Sequence, residues 1–383
     1  MKIFLKLLLI LIISFSTVLS QSEENQLKLF GYFQNEFEYQ KGTAEADDFD
    51  QNTFVLQQLN LFIQKDFSDE WTSFVNFEIL NSFSAAHRQG SFNIEEAWVR
   101  YRRSRQFNLK LGLQIPIFNN FNEIKNRTPL IPYIIRPLVY ETAFSENIQV
   151  EEYAPKNAYI QIYGFIPSND WKLDYAIYLG NTANISSQTE NGVTGRSGTD
   201  TTSSVLVGGR IGLRYNELKF GLSATRDIVN YFSGGYDTLF PNVSPDKFKE
   251  VPRIRLGSDF SFNYEDFSFE GEYIQVTYDY EVPNFNFDKN FYYATLGYYV
   301  SDPFFAFISY WVTEEYYPPY TIHNNTKSEE LEITVPNVGF SYKITDKIIT
   351  KLHYAYVGIH SSDQNLYQDR FFHFFSTAIS VFF

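Results

Sequence analysis

Four arginines could do chemistry if the chain around them is extended. Arg210 and Arg214 stand four residues apart, and Arg253 and Arg255 two apart, so in strands each pair shares a face. Guanidinium groups present paired donors that match the oxygens of phosphate and carboxylate. Left open, such a cluster would attract oxyanions. Paired with carboxylates, for which Glu36, Glu38, Glu78, Asp174, Asp259, Glu270 and Glu272 are candidates, it would instead brace a wall. Further charges fall on matching faces: Glu96 and Arg100 in FNIEEAWVRYR, and Lys110 in FNLKLGLQ. A last set, Glu123, Lys125, Arg127, Arg136 and Glu141, lies in 115–156, where five prolines exclude a central strand.

Other chemistry finds little support. The chain has no cysteine and five histidines, so thiol catalysis and cysteine-based metal sites are excluded. His87, His323, His353, His360 and His373 form no metal-ligand or Ser-His-Asp spacing, and no Gly-rich phosphate loop is present. Neither an enzyme nor a cofactor is expected. Alternation places His353 on the charged face and His373 on the apolar one.

The elements that carry these residues follow period two. In the closing stretch RFFHFFSTAISVFF, Phe375, Thr377, Ile379, Val381 and Phe383 share one face, and Ser376, Ala378 and Ser380 the other. Similar segments predict strands at 27–39, 53–64, 71–80, 92–102, 107–114, 157–166, 171–180 and 204–215. They continue at 218–228, 252–264, 267–280, 291–300, 304–314, 331–344, 348–360 and 370–383. Short turns such as PSND, Asn216-Glu217 and Glu265-Asp266 are expected to alternate strictly with longer loops, among them 40–52, 181–203, 229–251 and 315–330. No segment has the 3.6-residue period of a crossover helix, so neighbouring strands should be antiparallel.

Composition gives the reason for such a pattern. Aromatic residues are 19% of the 383, with 39 Phe and 29 Tyr, yet no helix-length apolar run follows the N-terminus. A strand with one face in lipid and one in water reconciles the two facts. Trp71, Trp171, Phe107 and Phe267 each open a strand after a short turn, as an interfacial ring girdle requires. Residues 1–20 read as an export signal, with Lys2 and Lys6 before LLLILII and a cut expected at Gln21; 21–383 form one barrel domain. A first strand so soon after that cut leaves no room for a plug domain. The net charge of −14 makes nucleic acid an unfavourable partner.

The fold class expected is therefore all-β, a transmembrane antiparallel up-and-down β-barrel of about 16 strands. LKLFGYFQNEFEY, FNIEEAWVRYR followed by LKLGLQIPIF, and the aromatic C-terminus together resemble bacterial outer-membrane porins. Within these the chain is most similar to the porin O/P-like, phosphate-selective type and related Bacteroidetes-type porins. The resemblance implies a passive pore, homotrimeric assembly in a membrane of lipid and lipopolysaccharide, and a last strand, ending at Phe383, that the assembly machinery reads. It also implies a third outer loop folded inward as a constriction, and parity makes 115–156 that third loop. Two other classes fit the pattern less well: a barrel whose loops bind surface ligands, and a soluble secreted β-protein that holds glycans on its aromatics.

Overall fold

A computed structural model describes residues 27–44, 47–81, 91–140, 156–182, 203–229, 243–248, 250–282, 285–322, 325–362 and 369–383. Residues 1–20, expected to be an export signal, Glu141, and most of the expected loops at 181–203 and 229–251 lie outside the described residues.

Sixteen strands form one closed sheet. The first four are β1 (Leu27–Ala44), β2 (Asp47–Asp66), β3 (Trp71–Asn81) and β4 (Ser91–Arg102). Next come β5 (Asn108–Gln114), β6 (Asn157–Ser168), β7 (Trp171–Gly180) and β8 (Leu206–Tyr215). They are followed by β9 (Leu218–Val229), β10 (Val251–Tyr264), β11 (Phe267–Asp279) and β12 (Asn286–Ser301). The last are β13 (Phe304–Ile322), β14 (Asn325–Thr345), β15 (Ile348–Ser361) and β16 (Arg370–Phe382). Each pairs antiparallel with its chain neighbours, and β16 returns to β1 from Tyr32↔Phe382 to Gly42↔Phe372. Phe383 closes the seam, its N–H donating to the Gly31 carbonyl and its carbonyl accepting the Gly31 N–H, both at 3.0 Å. No sheet edge is left to pair with another chain.

Alternation sorts the side chains. Ile160, Ile177, Ile211, Leu222, Leu256, Ile308 and Val338 point outward and are exposed, whereas Arg210, Arg255, Asp259 and Glu272 point inward and are buried. An exposed apolar belt around a charged interior is the reverse of a soluble barrel and suits a lipid surround. Three of the girdle residues pack tilted against rings of their cross-strand partners: Trp71 on Tyr101 at 4.9 Å, Trp171 on Tyr215 at 4.4 Å, and Phe267 on Tyr298 at 4.7 Å between ring centroids. The turns before β7, β9 and β11 hold Asn169, Asn216 and Glu265 at positive φ, and asparagine tolerates that region better than most residues.

Two expected loops are not loops. Residues 40–52 continue β1 and β2 as a paired hairpin up to Ala44↔Asp47. Residues 315–330 likewise extend β13 and β14 to Ile322↔Asn325, with Pro318 and Pro319 accommodated at a register shift between Tyr317 and Tyr320. The strict alternation of short and long connections therefore fails at these two hairpins. The ladder of backbone hydrogen bonds needs no lipid, so strands outrun the ~30 Å hydrocarbon layer while the side-chain alternation that marks them fades in water.

Candidate functional site

After β5 the chain leaves the wall, and residues 115–140 fold inside the barrel. Asn119 takes a positive φ of 50° at the entry, and its N–H donates to Ser223 Oγ on β9 at 2.9 Å. The Phe121 N–H donates to Glu272 Oε1 on β11 at 2.7 Å. Across the lumen, Lys351 Nζ on β15 donates to the Thr128 carbonyl at 2.7 Å and to Gln34 Oε1 on β1 at 2.8 Å. Gln57 Nε2 on β2 donates to the Ile134 carbonyl at 2.9 Å, and the Tyr133 hydroxyl donates to Glu270. The Ile135 N–H donates to His353 Nδ1 at 3.3 Å, so His353 is a buried acceptor on the inner wall. The segment is thus strapped to the wall on several sides.

Apolar packing fixes the rest of it. Phe118, Phe121, Ile131, Tyr133, Ile135, Leu138, Val139 and Tyr140 join one core with inward rings and aliphatics of β9 to β16, including Tyr278, Phe307, Trp311 and Val335. Proline content excludes a strand here, and the short 3-10 turns Thr128–Leu130 and Leu138–Tyr140 present this apolar run to the wall. Glu123, Ile124 and Leu130 of the segment stay exposed.

The segment's Glu123 and Arg127 meet β4 and β5. Arg127 pairs with Glu96 at 3.4 Å, and the Trp98 indole N–H donates to the other Glu96 oxygen at 2.8 Å. Lys110 Nζ sits 5.1 Å above the Trp98 ring, and Glu123, Glu96, Arg127 and Arg100 are its charged neighbours. Arg100 Nη2 donates to Thr72 Oγ1 at 3.3 Å. Gly112, at φ 129°, lets β5 approach β4 where a Cβ would strike the Ala97 carbonyl, which sets Lys110 beside Trp98. Glu96, Arg100, Lys110, Glu123 and Arg127 are therefore brought together. Lys125 is buried near the Tyr140 ring, and Arg136 Nη1 donates to the Lys125 carbonyl at 3.0 Å and Asn126 Oδ1 at 3.3 Å; these two hold the segment's own shape.

The remaining arginines lie elsewhere on the inner wall. Arg210 makes a two-pronged pair with Asp259, Nε to Oδ2 at 3.0 Å and Nη2 to Oδ1 at 2.7 Å. Arg253 does the same with Asp227 at 2.9 and 2.5 Å, and Arg255 shares that carboxylate at 3.2 Å. Arg214 pairs with Asp174. Arg210 reaches Asp259 by lying over Gly212 and Gly221, where a Cβ would collide with its guanidinium. Gly221→Ala should thus destabilise the barrel by about 1–3 kcal/mol through overpacking, read as a lower unfolding temperature in detergent; an unchanged temperature would show that the guanidinium can move aside.

Sequence reasoning missed several residues of the site. Glu95 turns inward beside Glu96 because a register shift at Asn76/Phe77 inserts one extra residue into β4; it pairs with Lys156 at 2.5 Å and accepts from Asn126 Nδ2 at 2.9 Å. Asp227 and Lys351 were missed for want of knowing their partners. Among the described residues, no group of three or more His, Asp or Glu side chains could hold a metal ion.

A closed sixteen-stranded up-and-down barrel with an apolar outer belt and ring girdle is an outer-membrane barrel. The sequence matches no family model and no curated protein. Solved structures do match. The anion-selective porin from Comamonas acidovorans aligns over 94% of this chain and 100% of its own, at 10% identity and TM-score 0.59. The outer membrane channel DcaP of Acinetobacter baumannii aligns over 95% and 99%, at 12% identity and TM-score 0.59. A trimer form of OmpT, an outer membrane protein of Vibrio cholerae, aligns over 94% and 99%, at 9% identity and TM-score 0.54. At these identities the likeness is one of fold.

Proposed function

We propose that the chain is a passive outer-membrane pore for small hydrophilic solutes that favours anions, phosphate or carboxylates, over cations. The observation that carries this reading is the inward segment 115–140, which narrows the lumen and sets Glu123 and Arg127 against Arg100, Lys110 and Glu96. Selectivity in such a pore follows its width and lining charge. Glu96 is taken up by Arg127 and the Trp98 N–H, and Lys110 has Arg127 and Arg100 beside it as well as Glu123 and Glu96, three cations to two carboxylates. Arg210, Arg253 and Arg255 have the role of wall braces. The reading includes export by residues 1–20, homotrimeric assembly within lipid and lipopolysaccharide, and handling of the last strand by the assembly machinery; the trimer form of a structural relative supports the second of these.

The test is conductance in a planar bilayer under a salt gradient. Discrete channels with a reversal potential of anion sign are expected, and Arg127→Ala should move that potential toward zero. An absence of channels would sink the pore reading, and a reversal potential of cation sign would sink the anion preference.

A further inference from the structure

The outward face of the wall is not uniform. From β6 to β9 its belt is mainly aliphatic, as at Ile160, Ile177, Ile211 and Leu222. From β12 to β15 tyrosines and small residues intervene, and a groove of about 440 Å³ opens among Ala294, Ile308, Tyr310, Pro336, Tyr354 and Tyr356.

The groove has a cause in the sequence. Pairing of β14 with β15 reaches Thr334↔Gly358, lapses at Val335 and Pro336, and resumes at Asn337↔Ala355 in the same register. On the β13 side the ladder is unbroken at Tyr310↔Pro336. Each residue of an antiparallel ladder turns its N–H and carbonyl to one neighbour, so the N–H that proline lacks is the one due to β15. The register makes its partner the Tyr356 carbonyl. Backbone polar groups in hydrocarbon need partners within protein. Acyl chains leave this carbonyl stranded, whereas a protein hydroxyl or amide would satisfy it.

A second observation lies four residues along the same strands, toward the long-loop side. There Glu314 and Glu332 stand directly opposite each other on the outward face, and Glu330 stands opposite Tyr316 beside them. The Tyr292 and Tyr316 hydroxyls and the Asn290 amide donate to Glu314 at 3.2, 3.3 and 3.3 Å, which puts this row at the height of an interfacial tyrosine band. Among the described residues no cation pairs with Glu314, Glu330 or Glu332. Bare carboxylates at this height repel anionic lipid headgroups. A second copy presenting the same face would set carboxylate against carboxylate, and like charges in apposition exclude a partner.

We propose that the outward face of β12 to β15 is the docking surface for a membrane-embedded segment of another protein. That segment brings hydroxyl or amide donors to the depth of the groove, and lysine or arginine about 13 Å farther along the strands. The surface goes beyond the pore reading and stands whether or not the barrel conducts.

The chain has no cysteine, so a single introduced one can carry a photo-crosslinker at a chosen point. Benzophenone maleimide is attached to Ile308→Cys in the groove and to Ile177→Cys on the aliphatic side, both 61% exposed in the parent chain. Both are then illuminated in the outer membrane of the producing cell. Ile308→Cys should give one heavier adduct, whose second polypeptide carries lysine or arginine beside the cross-linked stretch, and Ile177→Cys should give none. Glu314→Lys with Glu332→Lys should cut the adduct about tenfold, and Glu314→Gln with Glu332→Gln should cut it less. Heat-dependent mobility on electrophoresis selects the folded barrels for comparison. No adduct, lipid adducts alone, an adduct of two copies of this chain, equal adducts from both positions, or an adduct indifferent to charge reversal would each overturn the surface.

Discussion

Deletion of residues 120–140 should raise single-channel conductance several-fold. This stretch carries the rings and aliphatics that fill the lumen against β9 to β16, together with Glu123 and Arg127, which meet β4 and β5. Its removal opens both the dry and the wet side of the interior, and conductance follows the narrowest cross-section. The barrel itself should survive, because the wall's ladders are continuous without it. Selectivity should fall with the gain in conductance, since Glu123 and Arg127 leave together. Unchanged conductance in variants that still insert would place the narrowest point elsewhere.

The second large effect is on stability. Asp227→Ala should lower unfolding stability by about 3–5 kcal/mol, because it removes the carboxylate that two wholly buried guanidinium groups share. Arg253 and Arg255 both lean on this one carboxylate, and Thr225 Oγ1 at 3.0 Å is what remains for Arg255. Heat-dependent mobility on electrophoresis would report the loss. Asp227→Asn should cost less, because the amide oxygen still accepts a hydrogen bond. Adding Arg255→Leu to Asp227→Ala should restore part of the loss, since one uncompensated charge is then gone. Equal stabilities for the variant and the parent chain would mean that water reaches the pair.

Much of the wall was legible because membrane strands write their environment into the chain. From β3 to β11 the alternating faces located strands to within a few residues, and Asn169, Asn216 and Glu265 marked turns by chemistry as well as spacing. Legibility ended where one environment gave way to another. The stretches 40–52 and 315–330 are rich in polar residues and lack a clean period-two pattern, so they read as loops although the backbones of their described residues pair. In the candidate site, the residue types were visible and their partners were not. Arg210 and Asp259 are 49 residues apart, and Lys351 and Thr128 223 apart, distances that only strand register resolves. Glu95 hid behind a single inserted residue that reversed the phase of its strand.

The seam that joins Gly31 to Phe383 has a consequence for how the molecule comes into being. Its two strands are the most distant in the chain, so the contact that completes the cylinder is also the least local one, and non-local pairing is slow. Until it forms, β1 and β16 each present a bare row of donors and acceptors, and the half-built sheet is a template for any other strand. The chain must therefore be kept from its neighbours until its final residues arrive, which makes the time to closure, rather than the strength of the finished wall, the step at which mistakes are most costly.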